Sequence, residues 1–96
     1  MTEKISRFDI AAHLETDLDI QEFLNESAQS GNAADFVHAL NTAARAKGMS
    51  EVAKQAGVTR ASLYKSLSEG GNPHFDTIFR VCGALGVKLV AQPVHA

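Results

Sequence analysis

A single cysteine, Cys82, excludes an internal disulfide in this chain of 96 residues. Four scattered histidines (His13, His38, His74 and His95) and that lone thiol give no metal-ligand spacing. No apolar run is long enough to form a membrane-spanning helix. The start, MTEKISRFDIAAHLE, lacks the basic-then-apolar layout of a secretory leader. There is no phosphate-cradling loop either, because Gly70-Gly71 runs into Pro73 rather than into a Lys-Ser/Thr helix start. Ser, His and Asp occur without a nucleophile-elbow context, and Asp17 with Asp19 suits a helix start better than an acid/base pair. Internal repeats and low-complexity segments are absent. The expectation is a cytoplasmic protein without enzymatic activity, cofactor or metal.

Positive charge is also scarce, the net charge being −2. It is unevenly divided. Residues 1–35 hold eight acids (Glu3, Asp9, Glu15, Asp17, Asp19, Glu22, Glu26, Asp35) against Lys4 and Arg7, a balance of −6. Residues 36–96 hold three acids (Glu51, Glu69, Asp76) against seven bases (Arg45, Lys47, Lys54, Arg60, Lys65, Arg80, Lys88), a balance of +4. Such asymmetry suits two partners of opposite charge, phosphates for the basic part and a basic protein for the acidic part. The plainer reading is that the acidic face keeps the N-terminus solvated.

What is present is a compact punctuation at Met49 to Leu67, MSEVAKQAGVTRASLYKSL. Its spacing predicts one helix over about Ser50 to Ala56 and a second over about Arg60 to Leu67. Gly57 can take a positive φ where the first helix stops. Val58 is apolar inside a turn, as a plug between the helices would be. Thr59 is a good N-cap for the second helix. Ala53 is small enough for the helices to pass closely, and Leu63 faces back toward Val52, Ala53 and Ala56. Two helices joined steeply by a short Gly-containing turn form the DNA-binding helix-turn-helix.

Ala53, Gly57, Val58 and Leu63 occupy the positions that helix-turn-helix repressors fill with Ala, Gly and two aliphatics. The following SEGGNPHFDTIFRVCGALGVKL resembles the Gly-Asn-Pro loop and closing helix of the Xre (phage-repressor-like) class. The order of segments, from FDIAAHL through FLNESAQSG and ARAKGMSEVAKQAGVTRASLYKSLS, is similar to the addiction-module antidote family, HigA-like antitoxins of type II toxin–antitoxin pairs. The resemblance covers roughly Phe8 to Val94. It departs from the class pattern at Glu51, close to the start of the first motif helix, and at Ser66, where a large apolar residue is usual and Leu67 could take over the packing.

Around the motif, the chain reads as all-α: a small helix-turn-helix domain of about five to six helices with a short C-terminal β-strand. Residues 1–31 form an acidic helical segment, 32–86 the DNA-binding domain and 87–96 a strand and tail. Met1 to Arg7 should fray. Phe8 to Leu14 gives one or two helical turns, with Phe8, Ala11, Ala12 and Leu14 on the apolar side. Leu18 to Ala28 is a helix started by Asp17 or Asp19, with Leu18, Ile20, Phe23 and Leu24 clustered. Asn32 caps the next helix, with Asp35 completing a short capping box. That helix runs to about Lys47 on a stripe of Phe36, Val37, Leu40, Ala43 and Ala44, and Gly48 stops it. A last helix spans about Phe75 to Leu85, with Phe75, Ile78, Phe79, Cys82 and Leu85 facing the core. Val87 to Gln92 is β-branched and reads as a strand that needs a partner.

A recognition helix puts its N-terminal half into the major groove. The outward residues there are Thr59, Arg60, Ala61, Tyr64 and Lys65. Arg60 can offer paired donors to guanine, and Ala61 can touch a thymine methyl. Tyr64 suits a base edge or phosphate, and Lys65 a phosphate. Ser50 and the start of its helix can hold another phosphate, with Lys54 and Gln55 nearby. The bland alternative makes Arg60 and Lys65 solvated surface charges and Tyr64 part of the core. The resemblance implies a homodimer that binds operator DNA, represses its own operon and neutralises a RelE/HigB-like ribonuclease toxin. A phage-repressor-like regulator without a toxin, and a protein-interaction module that no longer binds DNA, stay open beside it.

Overall fold

Six helices, and no strand, make up residues 10–94, the part of the chain that the computed structural model describes. They are α1 (Ile10–His13), α2 (Asp17–Ala28), α3 (Ala33–Lys47), α4 (Met49–Ala56), α5 (Arg60–Leu67) and α6 (Phe75–Ala84). The expected fraying of Met1 to Arg7 and the apolar role of Phe8 lie outside the described residues.

The long α3 is the axle. It contacts α1, α2, α4 and α5, while α6 packs chiefly on α4. Its inward stripe of Ala39, Leu40, Ala43 and Ala44 is buried, and Phe36 and Val37 pack on the edge of the same core. Leu24 from α2, Val52 from α4, Leu63 and Leu67 from α5 and Val81 from α6 are all buried within it. Burying each such side chain contributes about 1.5–3 kcal/mol. An ion pair at 3.1 Å between Lys47 Nζ and Asp17 Oδ1 ties the end of α3 to the start of α2.

Local chemistry sets the helix ends. The cap of α2 is Thr16, not Asp17 or Asp19. Its hydroxyl accepts from the Asp19 backbone N–H at 3.0 Å, and the Asp19 carboxylate accepts from the Thr16 N–H at 3.1 Å. Asp19 therefore closes a capping box from the third helical position. Asn32 caps α3 as expected, accepting from the Asp35 N–H at 3.0 Å. The N–H of Asn32 is met by Ser30 Oγ at 3.2 Å, in the place the Asp35 side chain was expected to fill. Gly48 ends α3 and begins α4 in one residue, so α4 starts at Met49.

Three further expectations need correction. The C-terminal strand over Val87 to Gln92 is not formed. Val87 and Leu89 pack on the core while Lys88 and Val90 point out, so the period-two pattern is real. A strand also needs a ladder of backbone hydrogen bonds, and the described residues offer no neighbouring strand. Second, Phe75 and Phe79 lie outside the core. The inward face of α6 is Ile78, Val81, Cys82 and Leu85, and the two rings pack on each other instead. Third, Leu18 is exposed, because Ile20, Phe23 and Leu24 define the inward face of α2 and Leu18 lies about 200° round the helix from Ile20.

Candidate nucleic-acid interface

The turn between α4 and α5 is closed by two backbone bonds. Gly57 N–H donates to Lys54 O at 3.2 Å and Val58 N–H to Ala53 O at 3.0 Å. Gly57 sits at φ 76°, ψ 28°, the left-handed conformation that this C-terminal motif needs. Val58 packs on the core from within the turn. Thr59 then caps α5, its hydroxyl accepting from the Ser62 N–H at 3.0 Å.

Burial fixes which way α5 faces. Leu63 and Leu67 are fully buried, so Ala61, Tyr64 and Lys65 are turned to solvent, with Arg60 at the helix start. No acidic residue stands in the first turn of α5. Tyr64 is 60% exposed and is not a core residue. Leu67 supplies the buried apolar contact beside the half-buried Ser66, as the departure at Ser66 requires.

On α4 the buried residues are Met49, Val52, Ala53 and Ala56, leaving Ser50, Lys54 and Gln55 exposed. No side-chain hydrogen bond caps the start of α4. Gln55 is engaged: its Nε2 donates to Glu51 Oε2 at 2.6 Å. This pairing turns the Glu51 carboxylate toward its own helix. All eight expected residues (Ser50, Lys54, Gln55, Thr59, Arg60, Ala61, Tyr64 and Lys65) are thus exposed on α4, on α5 and in the turn between these two contacting helices, with Lys54, Arg60 and Lys65 as the cations.

Two contributors escape a reading of the sequence. Arg80 of α6 donates through Nη1 to the Ala56 carbonyl at 3.2 Å, and through Nε to Asp76 Oδ2 at 3.1 Å. It clamps the end of α4 just before the turn. The Asp76–Arg80 spacing is visible in the sequence as an i,i+4 pair, but nothing local points to Ala56. The second is Gly71, where a Cβ would lie 2.5 Å from Ser66 O and 2.6 Å from Lys65 O. Only a glycine lets the loop after α5 close against the last carbonyls of that helix. Behind Tyr64 this loop, α3 and α6 enclose an open cleft of about 870 Å³ floored by Val37, Asn41, Leu67 and Ile78.

Among the described residues no group of three or more His, Cys, Asp or Glu side chains could hold a metal ion. No helix there is long and apolar enough to cross a membrane.

The profile of a protein family described as "probable addiction module antidote protein" matches residues 4–93. The chain belongs to this family. A relative from Haemophilus influenzae (strain ATCC 51907 / DSM 11121 / KW20 / Rd) is 44% identical over 92 residues, covering 96% of this chain and 95% of the relative, and is named only as an uncharacterized protein. No solved structure matches. Antidote membership implies a toxin partner. Glu22 and Glu26 are exposed on α2, beside the half-buried Phe23.

Proposed function

We propose that this antidote protein is a HigA-like, Xre-type helix-turn-helix antitoxin acting by binding alone. It reads operator DNA as a homodimer through α4 and α5, represses its own operon and neutralises a small basic ribonuclease of the RelE/HigB type. The observation that carries the DNA reading is the outward face of α5. Arg60, Ala61, Tyr64 and Lys65 are all exposed, and the burial of Leu63 and Leu67 holds them there. In this reading Arg60 enters the major groove, Tyr64 meets a base edge or phosphate, and Lys54, Lys65 and the start of α4 hold phosphates.

The acidic segment from Phe8 to Ser30 is the toxin-facing part. The charge division of the chain supports this, with Glu22 and Glu26 exposed on α2. Asp17 is set apart from that role by its ion pair to Lys47.

Fluorescence anisotropy with the DNA upstream of the protein's own reading frame tests the DNA reading, at two salt concentrations and against scrambled DNA. Tight, sequence-dependent binding that falls steeply with salt is expected. No preference over scrambled DNA would sink it in favour of a protein-interaction module. For the toxin, co-expression with the neighbouring reading frame should give a stoichiometric complex. The combined change Glu22→Lys and Glu26→Lys should weaken that complex and leave DNA binding intact. Unchanged toxin affinity would defeat the assignment of α2. Absence of any complex would favour a plain phage-repressor-like regulator.

A further inference from the structure

Phe75 and Phe79 are 65% and 49% exposed, with ring centroids 5.0 Å apart and ring planes inclined at 37°. A tilted aromatic pair in contact is ordinarily core material, and here both rings meet water. Four residues further on, Gly83 has open space above it, where a Cβ would meet nothing within 4 Å. Phe75, Phe79 and Gly83 recur at helical spacing and form one stripe along the outer side of α6.

We propose that this stripe is the surface on which a second copy of the chain docks. The inference rests on the two-copy DNA reading above and supplies its interface. A two-fold axis sets residue i against j and j against i. If two α6 helices run antiparallel with the axis at Phe79, Phe75 of each copy comes to lie over Gly83 of the other, and the two Phe79 rings meet at the centre. Bulk is matched to the absence of a side chain, twice over.

Charge agrees with this occupant. The charges flanking the stripe, Asp76 and Arg80, are paired with each other within the helix. An identical neutral face is therefore not repelled, whereas a strongly basic or acidic partner finds no counter-charge there. The area agrees too. The two rings leave on the order of 200 Å² of aromatic surface open in each copy. Roughly 400 Å² from the pair suits the apolar centre of an interface of standard size, about 1,600 Å² in total.

The position is also right for a DNA reader. α6 packs chiefly on α4, and Arg80 beside the stripe holds the Ala56 carbonyl at the end of α4. Ala61, Tyr64 and Lys65 belong to α5, not to the docking helix. Docking through α6 also fixes the two α4–α5 units relative to each other, as two half-sites one DNA turn apart require.

Sedimentation equilibrium of the whole chain and of Phe79→Glu tests the proposal, with far-UV circular dichroism to confirm folding. The parent chain should be a dimer, and Phe79→Glu should raise the dimer dissociation constant about 100-fold or more. A second variant does not depend on that substitution being tolerated. In a Cys82→Ala background, Phe79→Cys should be joined into dimers by a short bismaleimide, while Glu26→Cys should not. A dimer indifferent to Phe79→Glu, with no cross-link at position 79, overturns the interface and leaves the DNA reading standing. A parent that is monomeric both alone and on its upstream DNA overturns both. A Phe79-dependent dimer that shows no preference for that DNA supports the interface and sinks the DNA reading alone.

Discussion

Arg80 Nη1 lies 3.2 Å from the carbonyl oxygen of Ala56 and donates to it, a link between residues 24 apart in the chain. The carbonyl belongs to the last turn of α4, where the helix dipole is negative and a cation is favoured. Arg80 is itself held by Asp76. The side chain is about half exposed, so solvent screens part of the interaction. Arg80→Ala should lower unfolding free energy by about 1 kcal/mol. Arg80→Lys should recover only part, because an ammonium cannot bond Asp76 and Ala56 with the same planar fork. Urea denaturation reads both, with an unchanged slope expected.

Neighbouring glycines should behave differently. Gly70 has φ 84° but open space around it, so Gly70→Ala should cost about 1 kcal/mol of backbone strain. Gly71 has a Cβ position crowded by three backbone carbonyls. Gly71→Ala must move the loop or the end of α5, at about 2 kcal/mol. Thermal melts of the two single variants give the order, and a milder effect at Gly71 would contradict the close approach.

Burial pushes the Cys82 thiol from its ordinary 9.0 up to about 11. The folded protein keeps the proton where the unfolded chain releases it. The thiol's contribution to stability is therefore complete below pH 9 and is lost as pH rises toward 11. At pH 8 the thiolate population is about 100-fold smaller than in the unfolded chain. Thiol labelling at that pH should be slow in the native protein and rapid in denaturant. Labelling at equal rates would mean the α6 packing opens freely.

Thr59 and Arg60 are adjacent but should separate cleanly. Thr59→Ala removes the bond to the Ser62 N–H and should cost about 1 kcal/mol of stability. Arg60→Ala should leave the melting temperature alone. It should cost about 1–3 kcal/mol on the preferred DNA and relax one base position. Lys65→Ala should weaken all DNA sequences alike and lower the salt slope by about 1. A Lys65 effect confined to one sequence would exchange the roles of the two residues.

Features that depend on the nearest few residues were legible in the sequence. Gly48, Gly57 and Thr59 end and begin helices where their backbone preferences allow, and Leu40, Val52, Leu63 and Cys82 fill the core that helical spacing implies. What required a third dimension was not. Helical spacing placed Phe75 and Phe79 on a face that would include Ile78, but α6 is rolled so that Val81 and Leu85 point inward and the rings do not. The alternation over Val87 to Gln92 signalled one buried side, and a strand needs a neighbour as well. In the candidate interface the exposed residues of α4 and α5 follow from their helical register. The Arg80 bond to Ala56 and the approach of Gly71 to Lys65 and Ser66 depend on how distant or looping segments return.

Ile20 and Leu24 of α2 belong to the same packed cluster as Leu63 of α5, and Lys47 is held by Asp17 across the join. The acidic and basic halves are therefore not thermodynamically independent. A ligand that alters the packing of α2 acts on the same core that holds Leu63 and Leu67 of α5 in place. Linkage makes the exchange mutual: whatever factor a protein on α2 imposes on the affinity for DNA, DNA imposes on the affinity for that protein.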